Sequence, residues 1–121
     1  MKIPKEQRLN PEQTIYYKLE LYLSKDLIPE MIELATSLGA CEYDRYDHVA
    51  SYYEIEGCWR PSERSNPVTG EKNTVNYGKE YKLELRCKEQ YVKAVLGALR
   101  KKHPYEEAVI HVIRLDNHLF E

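Results

Sequence analysis

Hydrophobic and polar residues alternate over residues 14–24, TIYYKLELYLS. Ile15, Tyr17, Leu19, Leu21 and Leu23 fall on one parity and Tyr16, Lys18, Glu20 and Tyr22 on the other. That period of two predicts a half-buried strand. Ser24 and Asp26 follow as candidate helix caps. Pro29 fits only a first helical turn, because its ring removes a donor and crowds the preceding turn. Leu27, Met31, Leu34, Ala35 and Leu38 then recur at helical spacing, up to Gly39, which suits a left-handed helix end. A second, less regular strand is expected from Tyr46 to Trp59, with Val49, Ser51, Tyr53 and Ile55 on one parity.

Residues 60–78, RPSERSNPVTGEKNTVNYG, are rich in proline, glycine and asparagine and predict a long loop with strand extensions at its flanks. A loop of that length in a small domain is usually functional or ordered by an interface. Residues 80–87 alternate again, Tyr81, Leu83, Leu85 and Cys87 against Glu80, Lys82, Glu84 and Arg86, and predict the third strand. Val92, Val95, Leu96 and Leu99 predict a second helix. Glu89 lies near its positive end, and Arg100, Lys101 and Lys102 near its negative end, as the helix dipole favours. His103-Pro104 stops it, since a proline pushes the residue before it out of the helical region. AVIHVIRL, residues 108–115, is a fourth strand too apolar for alternation to choose its inner face, and DNHLFE is a short appended segment.

The order β-α-β-β-α-β predicts an α+β, ferredoxin-like domain: an antiparallel sheet with both helices on one face. The other face is left bare with several tyrosines and aliphatics, a composition that favours self-association. The chain has 121 residues, enough for one domain, expected over residues 14–121 behind a polar N-terminal arm at 1–13. A net charge of −2 argues against a general nucleic-acid footprint and against a polybasic membrane anchor. No apolar run approaches the roughly 20 residues a bilayer requires. The start, MKIPKEQRLNPEQ, has no apolar signal core. Cys41, Cys58 and Cys87 are too widely spaced for a zinc or redox motif, so reduced thiols in the cytoplasm are expected.

Candidate chemistry is sparse. The long loop holds GEKN rather than a phosphate-binding loop, and neither Cys58 nor Cys87 has the His-Asn surroundings of a thiol nucleophile. HPYEE at 103–107 has a structural reading, in which Pro104 ends the helix, Tyr105 plugs the corner and His103 caps the last carbonyls. It also has a functional one, in which an imidazole and two carboxylates meet a divalent metal or a polar ligand. Asp47 and His48 could join a site across a subunit boundary. Trp59-Arg60-Pro61 reads either as an aromatic and cationic platform for an anion, or as a tryptophan packed over the sheet edge with Arg60 paired to a glutamate.

Taken together, Tyr46-Asp47-His48, Gly57-Cys58-Trp59-Arg60-Pro61, Asn66-Pro67, Gly70 and His103-Pro104-Tyr105-Glu106-Glu107 resemble the central, PII/CutA-like insert domain of the NIF3 (YqfO) family, over roughly residues 15–116. HPYE is shared with CutA as well. The Arg-Pro, Asn-Pro and Gly loop tilts the match toward the NIF3 insert. The pattern departs from the family at Asp44-Arg45, Val49, Arg64 and Ala108. The resemblance implies a non-enzymatic homo-oligomer, a trimer above all, with clefts between subunits near the 60–78 loop and HPYEE. It implies a small anion or a divalent metal as ligand. The candidate contacts are Tyr46, His48, Arg60, His103 and Glu106, with His103 and Glu106 as metal ligands. The two-metal centre of full-length relatives is built from flanking domains, so that chemistry is not expected of this chain. A CutA-like metal-binding protein and a small enzyme with an interfacial site are the alternatives.

Overall fold

A computed structural model describes residues 14–66, 70–104 and 108–120. The first strand, β1, is Tyr16–Leu23, and a short 3-10 turn at Lys25–Leu27 leads into α1, Ile28–Ser37. Strands β2, Ala50–Trp59, and β3, Asn76–Lys88, precede α2, Glu89–Lys102. Strand β4, Ile110–Leu115, and a 3-10 turn at Asn117–Leu119 complete the described chain. The sheet order is β2-β3-β1-β4, with every neighbouring pair antiparallel. This is the α+β ferredoxin-like arrangement expected from the sequence.

Alternation decides which side of the sheet is covered. Leu19, Leu21 and Leu23 of β1 and Leu83, Leu85 and Cys87 of β3 are buried against Ile28, Met31 and Ala35 of α1 and Val95 and Leu99 of α2. Each fully buried leucine contributes about 1.5–3 kcal/mol by leaving water, so this single layer dominates the stability. The register settles β4, where alternation was silent. Val112 lies opposite Leu19 and shares the helix side, while His111 and Ile113 lie opposite Glu20 and Lys18 on the open side.

Helix α1 carries Pro29 in its first turn. It ends in two linked bonds, Gly39 N–H to the Thr36 carbonyl at 3.1 Å and Ala40 N–H to the Ala35 carbonyl at 3.0 Å. Gly39 sits at φ +104°, where a Cβ would approach the Tyr91 ring to 2.8 Å, so glycine is required twice over.

One strand boundary differs from the sequence expectation, and a second follows the strand extension expected at the flank of the 60–78 loop. Strand β2 begins at Ala50, not Tyr46, because residues 43–46 turn back on themselves: Tyr43 and Tyr46 exchange backbone hydrogen bonds at 2.9 Å, with Asp44 at φ +56° between them. Strand β3 begins at Asn76, four residues before the alternating run. Residues 76–80 pair with 55–59 of β2 but extend past the end of β1, whose last pair is Leu23 with Tyr81. The hairpin therefore projects beyond the four-stranded sheet as a two-stranded arm.

Candidate functional site

The structure distributes the candidate residues rather than gathering them. His48 precedes β2 and Arg60 follows it, so a strand of ten residues, about 30 Å at ~3.3 Å per residue, separates them. His103 ends α2, next to β1. Tyr46 is 72% exposed in the turn that precedes β2. Glu106, together with Tyr105 and Glu107, lies outside the described residues, as do the expected N-terminal arm at 1–13 and Pro67.

His48 is held by carboxylates on both ring nitrogens. Nδ1 is 2.7 Å from Asp47 Oδ1 and Nε2 is 2.8 Å from Glu33 Oε2 of α1. The Asp47 bond, then the Glu33 bond, raise its pKa above the ordinary histidine value. Neutral imidazole has one N–H, so only the protonated ring donates to both carboxylates. Its backbone is in the left-handed region at φ +55°, as is Cys41 at +65° in the same loop. Such residues persist only where their surroundings hold them. Here Cys41 N–H bonds the Arg86 carbonyl at 2.9 Å, and Val49 N–H bonds the Cys41 carbonyl at 2.8 Å. The loop is thus tied to β3 by backbone and to α1 by the imidazole. Glu33 carries no sequence signal for this role, being 15 residues away on a helix face.

His103 is only 6% exposed. Its Nε2 lies 2.7 Å from the Tyr22 carbonyl oxygen, which can only accept, so Nε2 carries the proton. The sequence led us to expect this side chain on the helix's last carbonyls. The backbone N–H of His103 takes that role instead, bonding the Leu99 carbonyl at 3.0 Å, and the ring joins the helix end to β1. Trp59 lies across the arm: a Cβ on Gly78 would meet its ring at 3.0 Å, and one on Gly70 would meet its Nε1 at 2.7 Å. That is the packing reading of Trp59. Arg60 forms no ion pair among the described residues.

The open face of the sheet holds a charge cluster that no motif in the sequence singles out. Glu20, 6% exposed, receives Lys18 Nζ at 3.0 Å and Lys82 Nζ at 3.4 Å, with His111 Nδ1 at 3.8 Å. The Lys18 bond holds its carboxyl below the usual range. Glu84 lies 3.9 Å from Lys18 and 3.7 Å from Lys82, and Tyr53 Oη donates to it at 3.5 Å. The bare face is accordingly more polar at its centre than its tyrosines suggested. The thiols of Cys41 and Cys87 are buried, and burial pushes Cys87 up to about 11, which silences it as a nucleophile. Among the described residues no group of three or more His, Cys, Asp or Glu side chains could hold a metal ion. None of their helices is long and apolar enough to cross a membrane.

No known protein-family profile matches the chain. It is 25% identical over 108 residues to a Staphylococcus epidermidis protein named GTP cyclohydrolase 1 type 2 homolog, covering 89% of this chain. The chain spans 30% of that relative's length. A Bacillus cereus protein related to NIF3 superposes with a TM-score of 0.74 at 22% identity, over 86% of this chain and 26% of its own. The divalent ion tolerance protein CutA1 of Ehrlichia chaffeensis gives 0.65 at 13% identity, over 86% and 84% of the two chains. GlnK of B. subtilis, in a complex with ATP, gives 0.56 at 15%, over 84% and 85%. The chain resembles a segment of the NIF3-related proteins in sequence and has the PII/CutA-like fold.

Proposed function

We propose that this chain is a non-enzymatic, oligomeric binding or sensor module of the NIF3-insert and CutA-like type. It assembles in the cytoplasm as a homotrimer over residues 14–121, and takes a small anion or a divalent metal in the seams between subunits. The observation that carries this reading is the unprotected edge. Strand β2 is ten residues long, exposed at eight of them, and carries Tyr52, Tyr53 and Trp59 without a proline or a lysine. Native proteins shield such an edge or pair it with another chain. The arm beyond β1 adds to the argument, because a two-stranded hairpin is marginal in water unless something packs on it.

The separation of His48, Arg60 and His103 within one chain supports a site completed only where copies meet. The CutA-like metal reading has a specific argument in the divalent ion tolerance of the structural neighbour, but His103 reaches it with Nε2 already bonded to Tyr22. The activity named for the staphylococcal relative is not carried over, since the matched segment is under a third of that protein. Sedimentation velocity and native mass spectrometry of the full chain test the assembly. A trimer at micromolar concentration is expected, with mass retained for a bound anion or metal; a monomer at 100 micromolar would overturn the reading.

A further inference from the structure

Arg86 stands apart from the other charges of the open face. Its guanidinium carbon lies 3.9 Å from the centre of the Tyr16 ring and 4.3 Å from that of Tyr43, so the plane is gripped by aromatic rings from β1 and from the turn before β2. One nitrogen, Nη2, donates to the Glu42 carbonyl at 3.2 Å. Its Nε is buried with no hydrogen-bond partner. Among the described residues no carboxylate lies within ion-pair distance of it. The acidic residue next to it on the same face, Glu84, is taken up by Lys18, Lys82 and Tyr53. Lys18 stands directly opposite Arg86 across the β1–β3 pair, and Lys88 follows two residues on, opposite Tyr16.

A half-buried guanidinium without a counter-charge is costly. Two stacked rings further remove the conformational freedom that an arginine normally loses on binding, so its fork is preset. An arginine of this kind, with Lys88 two residues on, is a receptor for planar or tetrahedral oxygen anions, which match the spacing of its N–H groups.

We propose that Arg86, positioned by Tyr16 and Tyr43, binds a small dissolved oxyanion, phosphate or carboxylate, on the open face of the sheet. The site stands within one chain and does not depend on the seams invoked above, so it fails or holds separately from them.

The test is a titration of the full chain with inorganic phosphate, and separately with acetate, at constant ionic strength against chloride. Nuclear magnetic resonance follows the Arg86 side-chain Nε–Hε and the Tyr43 ring. Saturable shifts with phosphate or acetate, absent with chloride, are expected. Arg86→Gln should weaken binding at least tenfold, and Arg86→Lys severalfold, because it keeps the charge and loses the fork. Tyr43→Leu leaves β3 untouched and should also weaken binding severalfold, so it decides the matter even where an Arg86 variant folds poorly. Wild-type protein that responds to phosphate and acetate no differently from chloride overturns the proposal, as does unchanged binding in a folded Arg86→Gln or Tyr43→Leu variant.

Discussion

His103 Nε2 donates to the Tyr22 carbonyl across 2.7 Å, joining the last turn of α2 to the C-terminal half of β1. That bond gives the HPYEE corner a structural task at its first residue. His103→Ala removes the donor to this part-buried carbonyl, a loss of about 1–3 kcal/mol. Urea denaturation should show this as a lower midpoint with an unchanged slope. Equal stability of the variant would mean that the bond contributes nothing net. The same variant, titrated with zinc by calorimetry, bears on the metal reading: binding as tight as wild type removes His103 from any metal shell.

Histidine 48 should titrate above the ordinary histidine range, since both of its carboxylate partners favour the charged ring. A raised folded value means that its contribution to stability is complete below the unfolded pKa. It is lost as pH rises through the folded one. Proton resonances of the ring give the midpoint directly. Glu33→Gln should lower that midpoint and speed amide exchange in residues 41–49 at neutral pH; a midpoint unmoved by Glu33→Gln would show that the 2.8 Å contact is not formed in solution.

Glu20 carries the opposite sign. Its folded carboxyl is held low, so its stabilisation is present above the unfolded carboxylate pKa and fades as pH falls through the folded one. Glu20→Gln should cost about 1–2 kcal/mol at pH 7, because Lys18 and Lys82 lose their shared acceptor. The penalty should shrink at acid pH. A penalty that is constant from pH 7 down to pH 3 contradicts the ion pairing.

Gly39→Ala places a Cβ at a positive φ and 2.8 Å from the Tyr91 ring. A loss of more than about 1 kcal/mol is expected from the backbone alone. Gly57→Ala, which meets nothing within 4 Å, is the control and should be nearly neutral. Thermal melts of the two variants side by side separate the cases.

The sheet and helices were legible because their signals are local. Leu19, Leu21 and Leu23 alternate within one strand, and Val95 and Leu99 repeat within one helix. The start of β2 was not legible, since the turn at 43–46 hangs on a left-handed Asp44, and Tyr46 reads as strand by composition. The inner face of β4 depends on its register with β1 and not on its own residues. Polar partners were the least visible. Glu33 meets His48 from a helix, and Tyr43 meets Arg86 from a turn, so neither pair leaves a spacing pattern along the chain. Arg86 itself looked like any solvent-facing charge on an alternating strand.

Strand β3 runs 13 residues, yet only residues 81–85 are flanked on both sides, by β2 and β1, while residues 76–80 pair with β2 alone. One continuous strand therefore spans two regimes of protection. In an isolated subunit the distal amides of Tyr77 and Lys79 should trade hydrogen for deuterium long before Leu83 and Leu85 do. Whatever comes to rest against the arm would be read first in the slowing of that distal exchange.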